Sequence, residues 1–147
     1  MCIRVLIADD QPSARRSLHA LLTAMRWSAP SHAEQPLAAS FLSVEVVGVA
    51  EDGQQAVEQV QALDPNVVVM DLHLHTESAP QAGMDGLATI RAIKSKWPTT
   101  RIVVLTMYAT SRASVLAAGA DAFLLKGCST KELMDAVIAR PVDEPGE

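Results

Sequence analysis

Five short apolar runs recur along the chain, and their apolar residues are largely continuous rather than alternating with polar ones. The runs are Ile3–Ala8, Val44–Val49, Asn66–Leu72, Arg101–Thr106 and Asp121–Leu125. Strands of this composition are typical of a sheet that is buried on both faces, because neither face of the strand meets water. The runs therefore favour a parallel sheet that lies between two layers of helices.

Amphipathic segments separate these runs. Their apolar residues recur at helical spacing, as at Leu18, Leu21, Leu22 and Met25, at Ala56, Val57, Val60 and Leu63, and at Leu87, Ile90, Ile93 and Trp97. A further helix is predicted after the last run, where Ser129 and Glu132 have the spacing of a capping box. Strict alternation of strand and helix predicts an α/β fold with right-handed crossovers.

The chain of 147 residues has the length of one domain. We expect the folded domain to span residues 1–140 and a polar, proline-bearing tail to span 141–147. Two connections, 27–41 and 73–83, are longer than is usual between a helix and a strand. We interpret the first as a surface excursion, whereas the second begins two residues after an aspartate that lies in a buried run.

The charge of the chain limits its partners. The net charge is −5, and the 12 basic residues are scattered rather than clustered. Direct nucleic-acid binding by this chain is not expected, because a phosphate-binding surface needs grouped lysine and arginine side chains. No apolar run approaches the roughly 18 residues of a membrane span, and the start of the chain lacks a signal-peptide pattern. We therefore expect a cytoplasmic protein without a membrane partner.

Polar and charged residues lie at the ends of four of the runs. Asp9 and Asp10 follow the first, Asp71 is near the end of the third, Thr106 ends the fourth and Lys126 follows the fifth. Because the carboxyl ends of parallel strands converge on one crevice, we expect these side chains to lie together. Carboxylates about 4 Å apart repel by about 4 kcal/mol per pair at an effective dielectric near 20, so a cation is expected among them. Oxygen ligands of this kind suit Mg²⁺.

Asp71 is the residue on which such a site would act. A neighbouring Mg²⁺ and the amine of Lys126 would both neutralise charge on a phosphoryl group during its transfer, and Thr106 would donate a hydrogen bond to it. The predicted chemistry is the formation of an aspartyl phosphate on Asp71.

The motifs around these residues resemble those of one protein family. They are Val5–Pro12 with the acidic pair, Met84–Gly86 at the start of the third helix, Val104–Tyr108 around the threonine, and Gly119–Lys126 at the last strand. In this order they resemble the receiver domain of bacterial two-component response regulators, and most of all the receivers that precede a LuxR-type helix-turn-helix. The resemblance covers about residues 2–140. It implies a flavodoxin-like, doubly wound, five-stranded parallel sheet in the order 2-1-3-4-5.

The resemblance also implies a metal site and a phosphodonor. It makes Asp71 the phosphoacceptor, with Asp10, Asp71 and the main-chain carbonyl of His73 as Mg²⁺ ligands and Asp9 assisting through water. The donor would be a sensor histidine kinase. The chain would be the regulatory part of a transcriptional regulator, and an enzyme only in catalysing its own phosphorylation and dephosphorylation.

A switch is implied as well. Thr106 would bond to a phosphoryl oxygen, Lys126 would pair with the phosphoryl group, and Tyr108 matches the aromatic residue that turns inward when the threonine moves. The motion would change the face formed by the fourth helix, the fifth predicted strand and the fifth helix. This face is the family's usual surface for output or homodimerisation.

Three features depart from the family pattern. The segment from Asp71 to Gly86 is long, and Leu74–His75 replaces its usual Met-Pro pair. Gly127 stands where a proline is common. The stretch between the threonine and the lysine is slightly short, which predicts a trimmed fourth helix.

Other functions use the same residues. A phosphatase of the haloacid-dehalogenase type needs a second acid two residues after its nucleophile, where this chain has His73. A degenerate receiver would act as a phosphorylation-independent interaction domain if the long connection displaced the metal. The residues His73, His75 and Glu77 also form a pattern that can bind a transition metal, although surface histidines in a loop are the commoner case.

Each motif also has a purely structural interpretation. Asp9–Asp10 can cap the helix that starts near Ser13. Lys126 can be an ordinary lysine at a strand end that extends toward water. Arg15 and Arg16 are expected on a solvated helix face.

Overall fold

The computed structural model describes residues 2–24, 26–28, 41–72, 85–107 and 112–138. The strands within these residues are β1 (Cys2–Ala8), β2 (Arg26–Ser28), β3 (Phe41–Ala50), β4 (Val67–Asp71), β5 (Arg101–Thr106) and β6 (Ala122–Leu125). The helices are α1 (Pro12–Ala24), α2 (Gly53–Leu63), α3 (Gly86–Lys96), α4 (Arg112–Ala118) and α5 (Thr130–Ile138). None of these helices is long and apolar enough to cross a membrane.

The strands form one sheet in the order β2-β3-β1-β4-β5-β6. All of them except β2 pair in parallel, with Ala8 opposite Met70 and Asp71 opposite Leu105. The parallel strands, numbered without β2, follow the order 2-1-3-4-5. The predicted fold is therefore confirmed.

The short strand β2 is not predicted by the sequence. It runs antiparallel to the start of β3, with Trp27 opposite Leu42. The interpretation of 27–41 as a surface excursion is therefore wrong for residues 27, 28 and 41, which belong to strands of the sheet. A three-residue strand is too short to carry a periodic pattern, so only its pairing reveals it. Residues 29–40 and the second long connection, 73–83, lie outside the described residues.

The sheet separates two apolar layers. Alternate residues of β1 and β4 pack against α2, α3 and α4 on one face, namely Leu6, Ala8, Val68 and Met70. The intervening residues pack against α1 and α5 on the other face, namely Val5, Ile7, Val67 and Val69. These strand residues are at most 3% exposed. Burial of a large aliphatic side chain stabilises the folded state by about 1.5–3 kcal/mol. The packing of β1 and β4 therefore holds the residues at their carboxyl ends in place.

Three helices begin at residues that cap their free amides. Asp52 of α2 and Asp85 of α3 each accept a hydrogen bond of 2.8 Å from the backbone amide three residues later. At α5, the Ser129 hydroxyl accepts from the Glu132 amide at 3.1 Å, and the Glu132 carboxylate accepts from the Ser129 amide at 3.0 Å. The capping box predicted for this helix is confirmed. Such caps stabilise a helix by about 1 kcal/mol.

Candidate functional site

Strands β1 and β4 bring three carboxylates to one edge of the sheet. The two strands are parallel neighbours, so their carboxyl ends meet at the same edge. One carboxylate oxygen from each of Asp9, Asp10 and Asp71 lies within 4.8 Å of the other two. Asp9 is 1% exposed and Asp71 is 7% exposed, whereas Asp10 is half-buried. The structure thus brings the acidic pair and the single aspartate into one cluster.

Asp9 uses its two carboxylate oxygens differently. Its Oδ1 accepts a hydrogen bond of 2.9 Å from the Gln11 amide, which closes the turn before α1. Its Oδ2 faces the amine of Lys126 at 3.4 Å. The backbone amide of Asp9 donates to the Ala50 carbonyl at 3.0 Å, which fixes the residue to β3. Asp9 therefore has the structural role of a turn residue and also contributes a charge to the cluster.

Lys126 follows β6 and points into the same cluster. Its amine lies 3.1 Å from Asp71 Oδ2 and 3.4 Å from Asp9 Oδ2. Its side chain is 26% exposed. The interpretation of Lys126 as an ordinary strand-end lysine is wrong, because its charged end meets carboxylates rather than water.

The charge state of Lys126 follows from these neighbours. Burial lowers the pKa of the amine, but the hydrogen bond and negative charge of Asp71, together with Asp9, outweigh burial and raise the pKa above its ordinary 10.5. The ammonium therefore stays charged at neutral pH. It can bind an additional anionic oxygen that enters beside Asp71.

Thr106 occupies the neighbouring strand end. It is the last residue of β5 and is fully buried. Its carbonyl accepts a hydrogen bond of 2.7 Å from the Lys126 amide, which joins β5 to the segment that carries the lysine. Because Leu105 lies opposite Asp71, Thr106 lies at the same edge as the carboxylates. Four adjacent strands therefore deliver the acids, the threonine and the lysine to one edge.

The donor set fits a divalent cation. Three carboxylates against one ammonium leave a formal charge of −2 in a largely buried cluster. Carboxylate oxygens are the ligands that Mg²⁺ prefers, and a divalent ion balances this charge. Asp9, Asp10 and Asp71 are the side chains that would hold it.

Arg15 was expected on a solvated helix face, and this expectation is wrong. Its side chain is only 16% exposed, and its Nη1 donates a hydrogen bond of 2.8 Å to the main-chain carbonyl of Asp9. Its Nη2 lies 4.0 Å from Glu51. Arg16, the next residue, is exposed as expected. The sequence places both arginines on one helix, but only the packing of α1 against β3 decides which of them turns toward Asp9.

Two predicted site residues, His73 and Tyr108, lie outside the described residues, as do His75 and Glu77.

The structure adds an aromatic residue that the sequence pattern did not single out. Phe123 of β6 is half-buried against the helical layer that contains α4, and the guanidinium of Arg112 lies 5.9 Å from its ring centre. The ring therefore links the strand that leads to Lys126 with the first residue of α4. Its position in an apolar strand made it indistinguishable from an ordinary core residue.

Comparison with known proteins identifies relatives for this site and fold. The family model of the response regulator receiver domain matches residues 37–138. The transcriptional regulatory protein LiaR of Bacillus subtilis is 33% identical over 145 residues, which cover 97% of this chain and 58% of LiaR. The nitrate/nitrite response regulator protein NarP of Escherichia coli is 31% identical over 138 residues, which cover 92% of this chain and 54% of NarP. The chain thus spans little more than half the length of these curated relatives.

Solved structures agree with the sequence comparison. The response regulator domain of Thermotoga maritima CheB superposes with a TM-score of 0.70 at 27% identity, covering 93% of this chain and 94% of that domain. The signal receiver domain of NarL from Mycobacterium tuberculosis gives a TM-score of 0.69 at 28% identity, covering 94% and 98%. The family match covers most of the chain, and the sheet order and the carboxylate cluster agree with it. This chain belongs to the receiver domain family of two-component response regulators.

Proposed function

We propose that Asp71 accepts a phosphoryl group from a sensor histidine kinase and that Mg²⁺ is required. The observation that carries this proposal is the position of the Asp71 carboxylate, which is itself buried, belongs to a group of three carboxylates and lies 3.1 Å from the amine of Lys126. A carboxylate in this setting has the two features that phosphoryl transfer needs, a nucleophilic oxygen and positive charge beside it.

Each residue has a defined part in the proposed transfer. A carboxylate oxygen of Asp71 attacks phosphorus, a new P–O bond forms, and the bond to the donor breaks with its electron pair leaving on the donor. The ammonium of Lys126 binds a phosphoryl oxygen, and the hydroxyl of Thr106 donates to another. Asp9, Asp10, Asp71 and the carbonyl of His73 would hold Mg²⁺, which supplies charge neutralisation to the transferring group when bound.

The proposed domain is not an enzyme that turns over an external substrate. It would catalyse only its own phosphorylation and dephosphorylation. A haloacid-dehalogenase-type phosphatase would need an acid at position 73, and this chain has histidine there. Steady hydrolysis of a simple phosphoester by the purified chain would contradict the proposal.

In the proposed switch, phosphorylation of Asp71 changes one surface of the domain. In the proposal, Thr106 moves toward the phosphoryl group and Tyr108 follows it, and Phe123 is a second aromatic that can transmit the motion to α4. The face formed by α4, β6 and α5 carries the exposed side chains of Leu116 (39%) and Leu125 (42%). A groove of about 460 Å³ on this face is lined by residues of all three elements, including Arg112 of α4 and Glu132 of α5. We propose this face for output or homodimerisation.

The role of the chain follows from its domain bounds and its relatives. Residues 1–140 would form the receiver domain, and 141–147 would be a tail or the start of a linker. The relatives include LiaR, which is named a transcriptional regulatory protein. On that basis the chain would be the regulatory part of a transcriptional regulator. It would act in the cytoplasm, where DNA and ATP are found, and would not bind DNA itself.

Phosphorylation by a small donor tests the proposal directly. The purified chain is incubated with acetyl phosphate with and without Mg²⁺, and its intact mass is measured. We expect a single phosphoryl adduct that requires Mg²⁺ and is absent from Asp71→Asn. The matched control is Asp64→Asn, because Asp64 is exposed at the end of α2 and its φ of 50° is readily adopted by asparagine. A folded wild-type protein that forms no adduct would instead support the degenerate receiver.

A further inference from the structure

Gly86 makes a very close backbone contact beside the candidate site. It is the first residue of α3 and is buried. A methyl group added at its Cα would overlap the carbonyl oxygen of Leu72 and would lie 2.8 Å from the Leu72 carbonyl carbon. Its φ lies outside the left-handed region, so the need for glycine at this position comes from space alone. An overlap with backbone atoms cannot be relieved by rotating a side chain.

The residue on the other side of this contact adjoins the phosphoacceptor candidate. Leu72 directly follows Asp71, and both residues are buried. Thirteen residues separate Leu72 from Gly86 in the sequence. The two ends of this long connection therefore meet at one backbone contact. The path of the chain just after Asp71 is limited by α3 as well as by β4.

The start of α3 is itself held firmly. Ile90 and Ile93 of this helix are fully buried against the sheet. Asp85 caps the helix by accepting a hydrogen bond of 2.8 Å from the Ala88 amide, and the Thr89 hydroxyl donates to the Asp85 carbonyl at 2.8 Å. Helix α3 is therefore held in place, and its first residue limits the position of the Leu72 backbone.

We propose that Gly86 is a positioning residue for the metal and phosphoryl site. Its contact with Leu72 holds the backbone immediately after Asp71 and, through it, the Asp71 carboxylate. This inference rests on the proposed function, because it takes Asp71 as the residue that binds metal and accepts the phosphoryl group. It would also let the site accommodate a long connection, because the described residues on either side of that connection meet at this contact.

The test measures Mg²⁺ affinity by calorimetric titration of the full chain, and phosphorylation by acetyl phosphate through intact mass. We expect Gly86→Ala to weaken Mg²⁺ binding about tenfold or more, which is the usual cost of disturbing a residue that orients a metal ligand. The matched control is Gly48→Ala on β3. The three nearest atoms to a methyl group there are the ends of the side chains of Gln59, Leu63 and Leu6. The first two are the ones it overlaps, and because they are side-chain rather than backbone atoms they can shift, so we expect Mg²⁺ affinity to stay unchanged.

A second set of variants decides the question if Gly86→Ala does not fold. Asp85→Ala removes the cap of α3, and Asp52→Ala removes the same type of cap, with the same 2.8 Å hydrogen bond, from α2. We expect Asp85→Ala but not Asp52→Ala to weaken Mg²⁺ binding, because Asp85 caps the helix whose first residue, Gly86, contacts the Leu72 backbone. Asp85→Asn keeps the cap without the charge and should restore the wild-type affinity.

The outcomes separate this inference from the proposed function. Equal Mg²⁺ affinity of wild type and a folded Gly86→Ala would overturn the inference, as would equal affinity of Asp85→Ala and Asp52→Ala. A wild-type chain that binds Mg²⁺ but forms no adduct would refute the proposed function, while the affinity of Gly86→Ala would still test the positioning role. Absence of Mg²⁺ binding by the wild-type chain would refute both.

Discussion

Replacing Asp71 by asparagine is expected to make the metal-free protein more stable. At 4.8 Å, the largest separation in the carboxylate cluster, two like charges repel by about 3.5 kcal/mol at an effective dielectric of about 20. Asp71 takes part in two such pairs, which gives about 7 kcal/mol of repulsion. Its attraction to Lys126 at 3.1 Å is about 5 kcal/mol on the same scale. Among these four charged groups the substitution removes more repulsion than attraction, and we expect a net gain of about 1–2 kcal/mol.

Urea denaturation with and without Mg²⁺ measures this effect. Without Mg²⁺, Asp71→Asn should have the higher free energy of unfolding, and the Asp64→Asn control should match the wild type. With Mg²⁺ at ten times its Kd, the wild type should gain about 1.4 kcal/mol. The variant should gain much less, because it has lost a ligand. The electrostatic reasoning fails if Asp71→Asn is less stable than the wild type without Mg²⁺, or if both proteins gain equally from the ion.

Two further predictions concern the residues around the cluster. Lys126→Met should lower the free energy of unfolding without Mg²⁺. The folded-state pKa of Lys126 is raised above 10.5. The difference in free energy of unfolding between wild type and variant should therefore be complete below pH 10.5 and should shrink as the pH rises through the folded-state pKa. A difference in free energy of unfolding that stays constant up to about pH 11 would contradict this. Arg15→Met should weaken Mg²⁺ binding severalfold by removing the hydrogen bond to the Asp9 carbonyl. Arg16→Met, at the exposed neighbouring position, is its control in the same titration, and equal affinities of the two variants would count against a role for Arg15.

The fold could be predicted because its main signals are local. The continuous apolar composition of β4 and β5 indicates burial on both faces, and the structure confirms that alternate residues of each strand enter opposite layers. The capping box at Ser129 could also be predicted from the sequence, because its two residues are only three positions apart. β2 could not be predicted, since its existence depends on a pairing with Leu42 and not on its own composition.

The sequence predicted which residue types form the candidate site, but it did not predict all of their contacts. Their positions at strand ends identified Asp9, Asp71 and Lys126 as candidate site residues. The resemblance to receiver domains implied their roles. The solvated position expected for Arg15 was wrong, because its hydrogen bond to the Asp9 carbonyl depends on how α1 packs. The roles of all the site residues remain predictions, and for His73 and Tyr108 the positions do as well, since both lie outside the part of the chain that the structure describes.

The sequence by itself determined the fold class and the set of polar residues at the strand ends, because periodicity and strand boundaries are properties of neighbouring residues. Only the tertiary structure decided that the Lys126 amine lies 3.1 Å from Asp71, 55 positions earlier in the chain. It alone decided that Gly86 touches the backbone of Leu72 across a long connection. Contacts between residues so far apart depend on how helices pack on the sheet, and that packing is set by the complete core rather than by any one segment.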